Sequence, residues 1–224
     1  MTNETPILYR AFGCPYVQRA EIAFKEIELE HEKVEIDLEN KPEWYKDINP
    51  STKVPALKIN GRFIAESLVL MELANDLKPE KGLLPSDPVK RAEVRLAIEV
   101  YSSKVIPIFG KLFLSIKAVE TRQANIDAIE EAYSAFNDML LKQAPSGPYF
   151  LGSEYSLADI AIAPIHSRVK LLFRAFFDGL ELQALKKYPR LEEFSEGITS
   201  RPSFKETFMD EDTFVTAVKV KLGL

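Results

Sequence analysis

The sequence has 224 residues and a mass of 25.4 kDa, enough for one or two domains that each bury a core. With 46% hydrophobic and 28% charged residues it has the balance of a folded globular protein, and its net charge of −5 argues against nucleic-acid and polybasic membrane partners. A single cysteine excludes an intrachain disulfide and a multi-cysteine metal site, and the two histidines lie too far apart in the sequence to favour a metal cage.

The first residues, 1–5, are polar and include an acid, which is unlike a secretory signal. No apolar run approaches the ~20 residues that span a bilayer. One free cysteine and no disulfide fit a reducing compartment. We therefore expect a cytoplasmic protein with no membrane partner.

Residues 1–78 alternate between strand and helix patterns. The predicted elements are, in chain order, a strand over 6–12, a helix that begins after Gly13-Cys14-Pro15, a strand over 33–38, a strand over 54–59, an Asn60-Gly61 hairpin, a strand over 62–65 and a helix over 67–77 capped by Ser67. The strand-helix-strand unit implies parallel pairing with a right-handed crossover, and the hairpin adds an antiparallel pair. The pattern predicts an α/β domain with a mixed four-strand sheet, as in thioredoxin-like folds.

Residues 79–88 contain three prolines and a glycine and form the predicted linker. Residues 89–224 carry helix patterns, so the second domain is predicted to be all-helical. Its predicted helices are one over 88–116 with a kink at Pro107, one over 121–143, a buried one after the capping-box spacing Ser156-Leu157-Ala158-Asp159, and two over 181–187 and 189–200.

Cys14 is the candidate for chemistry because it follows a strand and stands at the start of a helix, with Pro15 at the first helical position. The free N–H groups and the dipole at a helix N-terminus stabilise a thiolate over a thiol, and the thiolate is the nucleophile. The alternative is a small buried hydrophobic side chain, which is the common fate of a cysteine. The strand–Cys–Pro–helix context favours the functional interpretation.

A set of motifs in order along the chain resembles the cysteine-type glutathione transferases, with the omega class nearest and the lambda class similar. The motifs are Phe12-Gly13-Cys14-Pro15-Tyr16, Lys41-Pro42-Glu43-Trp44-Tyr45, Asn49-Pro50, Lys53-Val54-Pro55-Ala56-Leu57, Glu66-Ser67 and Ser156-Leu157-Ala158-Asp159. Each motif is weak by itself, but together they cover residues 6–205. The resemblance implies a glutathione-binding domain over 1–78, an electrophile site contributed by 89–224, and a homodimer.

The resemblance implies a glutathione site that comprises Cys14, Pro15, Tyr16, Lys41, Lys53, Val54, Pro55, Glu66 and Ser67. Because Val54 precedes a proline, its backbone is held extended and can pair with a peptide-like ligand. The matching proline in the family is cis, which the sequence leaves open. Glu66 is expected to pair with the γ-glutamyl ammonium, and the helix N-terminus at Ser67 to bind the γ-glutamyl carboxylate.

The second cysteine of a C-x-x-C motif is replaced by Val17, so the chain has no resolving thiol of its own. An oxidised Cys14 must then be reduced by an outside thiol, and glutathione is the co-substrate that the resemblance supplies. We expect a monothiol cycle through a mixed disulfide between Cys14 and glutathione, with no metal. The resemblance implies thiol transfer, deglutathionylation and dehydroascorbate reduction.

Tyr9 is the rival group, since a tyrosine on the first strand could stabilise a glutathione thiolate for conjugation. The other interpretation of Tyr9 is a sheet tyrosine packed in the domain. The candidates for the electrophile site between the domains are the aromatic side chains Tyr101, Phe109, Phe113, Phe173, Phe176 and Phe177. Core packing is the alternative for each of them, and it is favoured for His166 on the buried helix.

Two hypotheses from other classes are open. The first is a non-catalytic module for assembly or regulation, which predicts loss of the nucleophile or of the glutathione residues, whereas the sequence retains them. The second is a carrier of a small hydrophobic metabolite in the pocket between the domains. The carrier role is compatible with catalysis on a small hydrophobic or oxidised substrate.

Overall fold

A computed structural model describes residues 4–224. The first half is built from β1 (Ile7–Arg10), α1 (Pro15–Glu26), β2 (Glu32–Glu35), α2 (Tyr45–Ile48), β3 (Ala56–Ile59), β4 (Arg62–Ala65) and α3 (Ser67–Leu77). The strands form one sheet in the order β2-β1-β3-β4. Strand β1 pairs in parallel with β2 and antiparallel with β3, and β4 closes the hairpin. The predicted thioredoxin-like sheet is confirmed.

The hairpin between β3 and β4 turns at the predicted dipeptide. Asn60 and Gly61 both have positive φ, 50° and 72°, which matches the turn that joins twisted strands most readily. The register then pairs Ile59 with Arg62. The predicted third strand is shorter than expected, because Val54 and Pro55 lie before β3 and make no ladder pair with β1.

The second half is helical, as predicted. It consists of α4 (Pro88–Lys104), α5 (Ile106–Leu114), α6 (Arg122–Gln143), α7 (Leu157–Phe176), α8 (Gln183–Lys187), α9 (Pro189–Ser200), α10 (Pro202–Thr207) and α11 (Glu211–Leu222). The prediction of one kinked helix over 88–116 is wrong. Val105 separates α4 from α5, and Pro107 lies in the first turn of α5, where its missing N–H costs no hydrogen bond.

Helix α7 is the centre of the second half. Ser156 and Asp159 form the predicted capping box, in which the Ser156 backbone N–H donates to the Asp159 carboxylate over 2.7 Å. The Phe150 backbone N–H donates to the same carboxylate over 2.8 Å. Helix α7 contacts α4, α5 and α9 of its own half and α1 of the first half, so it is buried on nearly all sides.

The two halves share a packed boundary. Helix α1 lies on α3 on one side and on α7 and α10 on the other. A short 3-10 turn over Pro79–Lys81 and the Asp87 cap of α4 lie between α3 and α4, and the domain boundary at 79–88 stays a prediction. Within residues 4–224 no helix is both long and apolar enough to cross a membrane.

Candidate active site

Cys14 lies between the end of β1 and the start of α1. It is the N-cap residue of α1, with extended backbone angles of φ −68° and ψ 123°, and Pro15 follows in the first turn. Its carbonyl accepts the first helical hydrogen bond, from the Gln18 N–H over 3.0 Å, while its side chain makes no cap bond. The half-buried sulfur therefore lies at the positive end of the helix dipole, where negative charge is favoured.

The cavity that Cys14 lines lies between the two halves and has a volume of about 620 Å³. The first half contributes the 12–16 loop together with Leu38, Lys41, Thr52, Lys53 and Val54. The facing wall is made by α5, α7 and α11 of the second half. The Cys14 thiol thus opens into a space that both halves enclose, and we refer to this space as the cleft.

A second cavity of about 340 Å³ adjoins the cleft, since Tyr16, Lys53 and Val54 line both. It adds Asn49, Pro55, Glu66 and Ser67 to the lining. The two cavities together contain all the predicted glutathione residues: Cys14, Pro15, Tyr16, Lys41, Lys53, Val54, Pro55, Glu66 and Ser67. Residues from separate loops and helix starts of the first half are therefore brought together beside one thiol.

Val54 lies in a loop held by two donors. The peptide bond between Val54 and Pro55 is cis. The Asn49 amide and the Tyr45 hydroxyl each donate to the Lys53 carbonyl over 2.8 Å. The backbone N–H and C=O of Val54 make no hydrogen bond to any residue of 4–224. An extended peptide-like ligand could use both groups.

Glu66 and Ser67 stand at the start of α3. The prediction that Ser67 caps this helix is wrong, because Glu66 takes the N-cap position and Ser67 is the first helical residue. Neither residue caps α3 through its side chain, so the first-turn N–H groups remain available to an anion. Glu66 has φ of 74°, and residues other than glycine held in this region cluster at functional sites.

Arg168 is a cleft residue that sequence reasoning missed. Its guanidinium donates to the Gly13 carbonyl over 2.8 Å, to the Gln18 amide oxygen over 2.7 Å and to the Pro164 carbonyl over 2.8 Å. Burial lowers the pKa of Arg168 to about 10, and negative charge at Cys14 acts in the opposite direction. The available signal was a lone arginine inside the apolar run of α7, since a buried charge needs partners.

The α11 wall of the cleft was also missed. Phe214, Ala217, Val218 and Lys221 line the cleft from this helix, and Met209 lines it from the loop before α11. No helix or strand was predicted beyond residue 200. The Asp210 side chain accepts from the Thr213 N–H over 2.9 Å, and this local cap was the signal that could have found the helix.

Of the predicted electrophile-site aromatics, Phe109 and Phe113 on α5 line the cleft. Tyr101 does not: it is 1% exposed, and its hydroxyl lies 3.0 Å from that of Tyr133 in the core. The Tyr101 side chain is buried because the face of α4 that carries it packs against α6 and α7.

Phe173 and Phe177 also lie in the core rather than in the cleft. Their rings meet edge to face at 5.5 Å, and the Arg122 guanidinium lies 5.0 Å from the Phe177 ring. Phe176 is half-buried, packs against the same core and lines neither cavity. The three were candidates as aromatic residues of the second domain, but Phe173 on α7 and Phe177 just after the helix pack into the core.

Tyr9 is a packed sheet tyrosine, the alternative to the rival activator role. It is 8% exposed and its ring lies 6.0 to 6.4 Å from the rings of Trp44, Tyr45 and Phe63. It lines neither the cleft nor the adjoining cavity.

The geometry, a thiol at a helix N-terminus beside the loop that carries Val54, agrees with comparisons to known proteins. The family models described as the N-terminal and C-terminal domains of glutathione S-transferase match residues 13–77 and 120–197. The chain belongs to the glutathione S-transferase family.

Its relatives lie in the omega and lambda-like groups, which confirms the resemblance inferred from the motifs. The crystal structure of glutathione transferase Omega 1C from Trametes versicolor superposes with a TM-score of 0.82 at 37% identity, over 97% of this chain and 96% of that one. Protein IN2-1 homolog B of Oryza sativa subsp. indica is 34% identical over 98% of this chain and 86% of its own. Glutathione S-transferase L3 of Arabidopsis thaliana is 31% identical over 97% of this chain and 88% of its own.

Proposed function

We propose that the protein is a glutathione-dependent thiol transferase in which Cys14 is the single catalytic thiol. The observation that carries the proposal is the position of this sulfur, at the N-terminus of α1 and on the wall of a cleft that adjoins the Val54 and Glu66 cavity. Val17 occupies the place of a second thiol one helical turn later, so Cys14 has no partner within the chain.

Glutathione would bind in an extended form along the loop before β3. The unpaired backbone groups of Val54 are suited to its cysteinyl unit, which brings the glutathione sulfur towards Cys14. The uncapped N-terminus of α3 suits the γ-glutamyl carboxylate, and Glu66 its ammonium group. Lys41 and Lys53 supply positive charge for the glycyl carboxylate.

The cycle consists of two thiol–disulfide exchanges. The Cys14 thiolate attacks the glutathione sulfur of a glutathionylated substrate, the substrate disulfide breaks, and the substrate leaves as a thiolate. A second glutathione thiolate then attacks the sulfur of that bound glutathione, which forms oxidised glutathione and restores the Cys14 thiolate. Reduction of dehydroascorbate uses the same two glutathione molecules, which together supply two electrons and two protons.

The second substrate would enter the cleft from the side of α5 and α11. Phe109 and Phe113 provide an apolar surface there, which suits a small hydrophobic group. The active form is expected to be a homodimer, which light scattering on the purified protein would test.

The test compares the wild type with Cys14→Ser in two glutathione-dependent assays, reduction of a glutathionylated peptide and conjugation of a chlorinated aromatic. We expect Cys14→Ser to lower the first activity at least about 100-fold, because a hydroxyl is a far weaker nucleophile than a thiolate. Mass spectrometry should find one glutathione on wild-type Cys14 after a single turnover.

Tyr9→Phe is the matched control, since Tyr9 is the rival activator and lies outside the cleft. It should leave peptide reduction unchanged. Unchanged reduction in Cys14→Ser, or loss of conjugation in Tyr9→Phe, would contradict the proposed mechanism.

A further inference from the structure

The cleft carries an excess of positive charge that the whole molecule does not share. Its lining includes four cationic side chains, those of Lys41, Lys53, Arg168 and Lys221. Of the described residues 4–224, no Asp or Glu lines the cleft. The chain as a whole has a net charge of −5. A concave surface lined by one sign of charge concentrates ligands of the opposite sign. Lys41 and Lys53 are accounted for by the proposed glutathione site, which leaves two cations on the wall of the second half.

These two cations are not neutralised by the protein. Arg168 is 3% exposed and donates only to neutral oxygens, those of Gly13, Gln18 and Pro164. The Lys221 ammonium makes no ion pair with any residue of 4–224, and its contact is with the face of the Phe113 ring, 5.5 Å away.

Some of the other cations in this half form ion pairs, and two of them serve as a comparison. Arg174 forms an ion pair with Glu211 at the start of α11, and Lys186 pairs with Glu181 over 2.5 Å. Lys221 lies near the other end of α11 and differs from them in two ways: it faces the cleft and it lacks a carboxylate partner among residues 4–224.

The space beside Lys221 is apolar. Phe109 and Phe113 of α5 and Phe214 and Val218 of α11 all line this part of the cleft. Phe214 and Val218 are one helical turn apart on α11, and Lys221 comes one turn after Val218, so the three share a face of the helix. A flat apolar group between α5 and α11 would therefore lie next to an ammonium group.

We propose that the second substrate of the cleft is an amphipathic organic anion, an aromatic group whose carboxylate or sulfonate is held by Lys221. The inference rests on the proposed function for its reaction: the substrate is the mixed disulfide of glutathione with an aromatic thiol that bears the acid. The Cys14 thiolate attacks the glutathione sulfur, the disulfide breaks, and the aromatic thiolate leaves. Lys221 selects the substrate by its charge and takes no part in the exchange.

Binding is tested first, without chemistry. The probes are the anion 8-anilinonaphthalene-1-sulfonate and the neutral N-phenyl-1-naphthylamine, which share most of their apolar surface. Lys221→Met, which keeps the apolar stem, should weaken binding of the anion by about 5-fold at low salt and leave the neutral probe unchanged, because one partly exposed ion pair is lost. Lys221→Glu should weaken binding of the anion further.

Lys219→Met is the matched control, because Lys219 is exposed on the same helix but does not line the cleft. It removes the same charge from α11 and should leave the affinity for both probes unchanged. If Lys219→Met and Lys221→Met weakened binding of the anion equally, the effect would come from the overall charge of α11, and the proposal would be overturned. So would an unchanged anion affinity in both Lys221 variants.

Selectivity in turnover is tested with two substrates, the mixed disulfide of glutathione with 4-mercaptobenzoate and its methyl ester. The ratio of their kcat/KM values, acid over ester, should fall by about 5-fold in Lys221→Met, since only the acid carries the charge. An unchanged ratio in an active enzyme overturns this inference and leaves the proposed function intact. Absence of turnover together with Lys221-dependent binding of the anion overturns the proposed function and leaves the anion site intact.

Discussion

Gly13 affects the position of the Cys14 sulfur through its backbone, although it has no side chain. Its φ of 79° belongs to a region that residues with a Cβ avoid, and a Cβ built there would lie 2.5 Å from the terminal carbon of Met209. Its carbonyl accepts from Arg168 over 2.8 Å. The peptide just before Cys14 is therefore held by a hydrogen bond from the second half, and the end of Met209 occupies the space that a side chain at position 13 would need.

We expect Gly13→Ala to lower activity far more than it lowers stability. The free energy of unfolding should fall by about 1 kcal/mol or slightly more because of the positive φ. The flexible end of the Met209 side chain must turn away from the new Cβ, and because Met209 lines the cleft beside Cys14, its displacement should lower thiol transfer by about 10-fold. Urea unfolding and the peptide-reduction assay measure the two effects.

Gly61→Ala is the control for the backbone effect alone. Gly61 has a similar φ of 72°, and a Cβ added to it would have no atom within 4 Å. The loss of stability should be similar and the activity unchanged. Equal activity in the two variants would show that displacement of Met209 does not affect the reaction at Cys14.

Local motifs were enough to predict residues that line the cleft and the cavity beside it, because each lies within a few positions of a turn or helix start. Cys14, Val54 and Glu66 are examples. Arg168 could not be placed in the same way, since it reaches Gly13 across 155 positions of sequence. Contacts of this kind depend on how α7 packs on α1. Hydrophobic periodicity predicts which face of a helix is buried, but it does not predict which residue an individual arginine side chain will contact.

At the scale of elements, a buried chain of hydrogen bonds joins four helices of the second half. The Tyr101 and Tyr133 hydroxyls lie 3.0 Å apart, and the Tyr133 hydroxyl lies 2.8 Å from Nδ1 of His166. The other ring nitrogen of His166 lies 2.7 Å from the Ser195 hydroxyl. Burial, with the nearby charge of Lys170, lowers the pKa of His166 to about 3, so the ring is neutral in the folded protein.

The neutral His166 predicts a loss of stability in acid. Because the pKa is about 3 in the folded state against the ordinary 6.5, the unfolded chain binds the additional proton below pH 6.5. The free energy of unfolding should then fall by about 1.4 kcal/mol per pH unit, or about 2 kcal/mol between pH 7 and pH 5. Urea unfolding at the two pH values measures this difference.

His166→Gln should be less stable than the wild type at pH 7. Its free energy of unfolding should not show the fall between pH 7 and pH 5 that His166 causes. Ser195→Ala is the control, because it removes a partner of the ring and keeps the ring buried. It should lower stability at both pH values and retain the fall. The same fall in His166→Gln as in the wild type would assign the acid loss to other groups.

The elements that the sequence predicted well have strong local signals, and the errors have local physical reasons. The Ser156–Asp159 capping box and the Asn60-Gly61 turn were correct because their side chains or backbones specify the geometry directly. Pro107 was expected to kink a helix, but the chain ended α4 at Lys104 and began α5 with the proline in its first turn. A proline indicates only that one helical hydrogen bond is missing. Tertiary packing then decides whether one helix continues with a kink or a second helix begins.

At the scale of the whole molecule, the two halves are joined by an ion pair behind the cleft. The Arg201 guanidinium binds the Glu26 carboxylate through two bonds, of 2.8 and 2.5 Å, and Ser203 donates to the same carboxylate. Burial acts to raise the pKa of Glu26, but the bonds from Arg201 and Ser203 outweigh it and lower the pKa. The Arg201 guanidinium also lies 3.8 Å from the centre of the Tyr155 ring. This pair anchors the end of α1, which carries Cys14 at its other end.

A second pair with the same chemistry connects the halves at another place and serves as the comparison. Arg95 of α4 binds Glu72 of α3 through two bonds of 2.8 Å, but the two side chains are 48% and 33% exposed, whereas those of Arg201 and Glu26 are 28% and 13% exposed. Water solvates the carboxylate that is left when Arg95 is removed. It reaches Glu26 poorly, so removal of Arg201 leaves a partly buried charge without a partner.

We therefore expect Arg201→Met to lower the free energy of unfolding by about 3 kcal/mol and Arg95→Met by less than about 1 kcal/mol, as measured by urea unfolding at pH 7. Glu26→Gln combined with Arg201→Met should recover part of the loss, because the unpaired charge is gone; the double-mutant cycle isolates this coupling. Equal losses in the two single variants would mean that the pair behind the cleft is no more than a solvated surface contact. The larger loss at Arg201 would instead show that the cohesion of the two halves, and with it the cleft between them, depends on one partly buried carboxylate of α1.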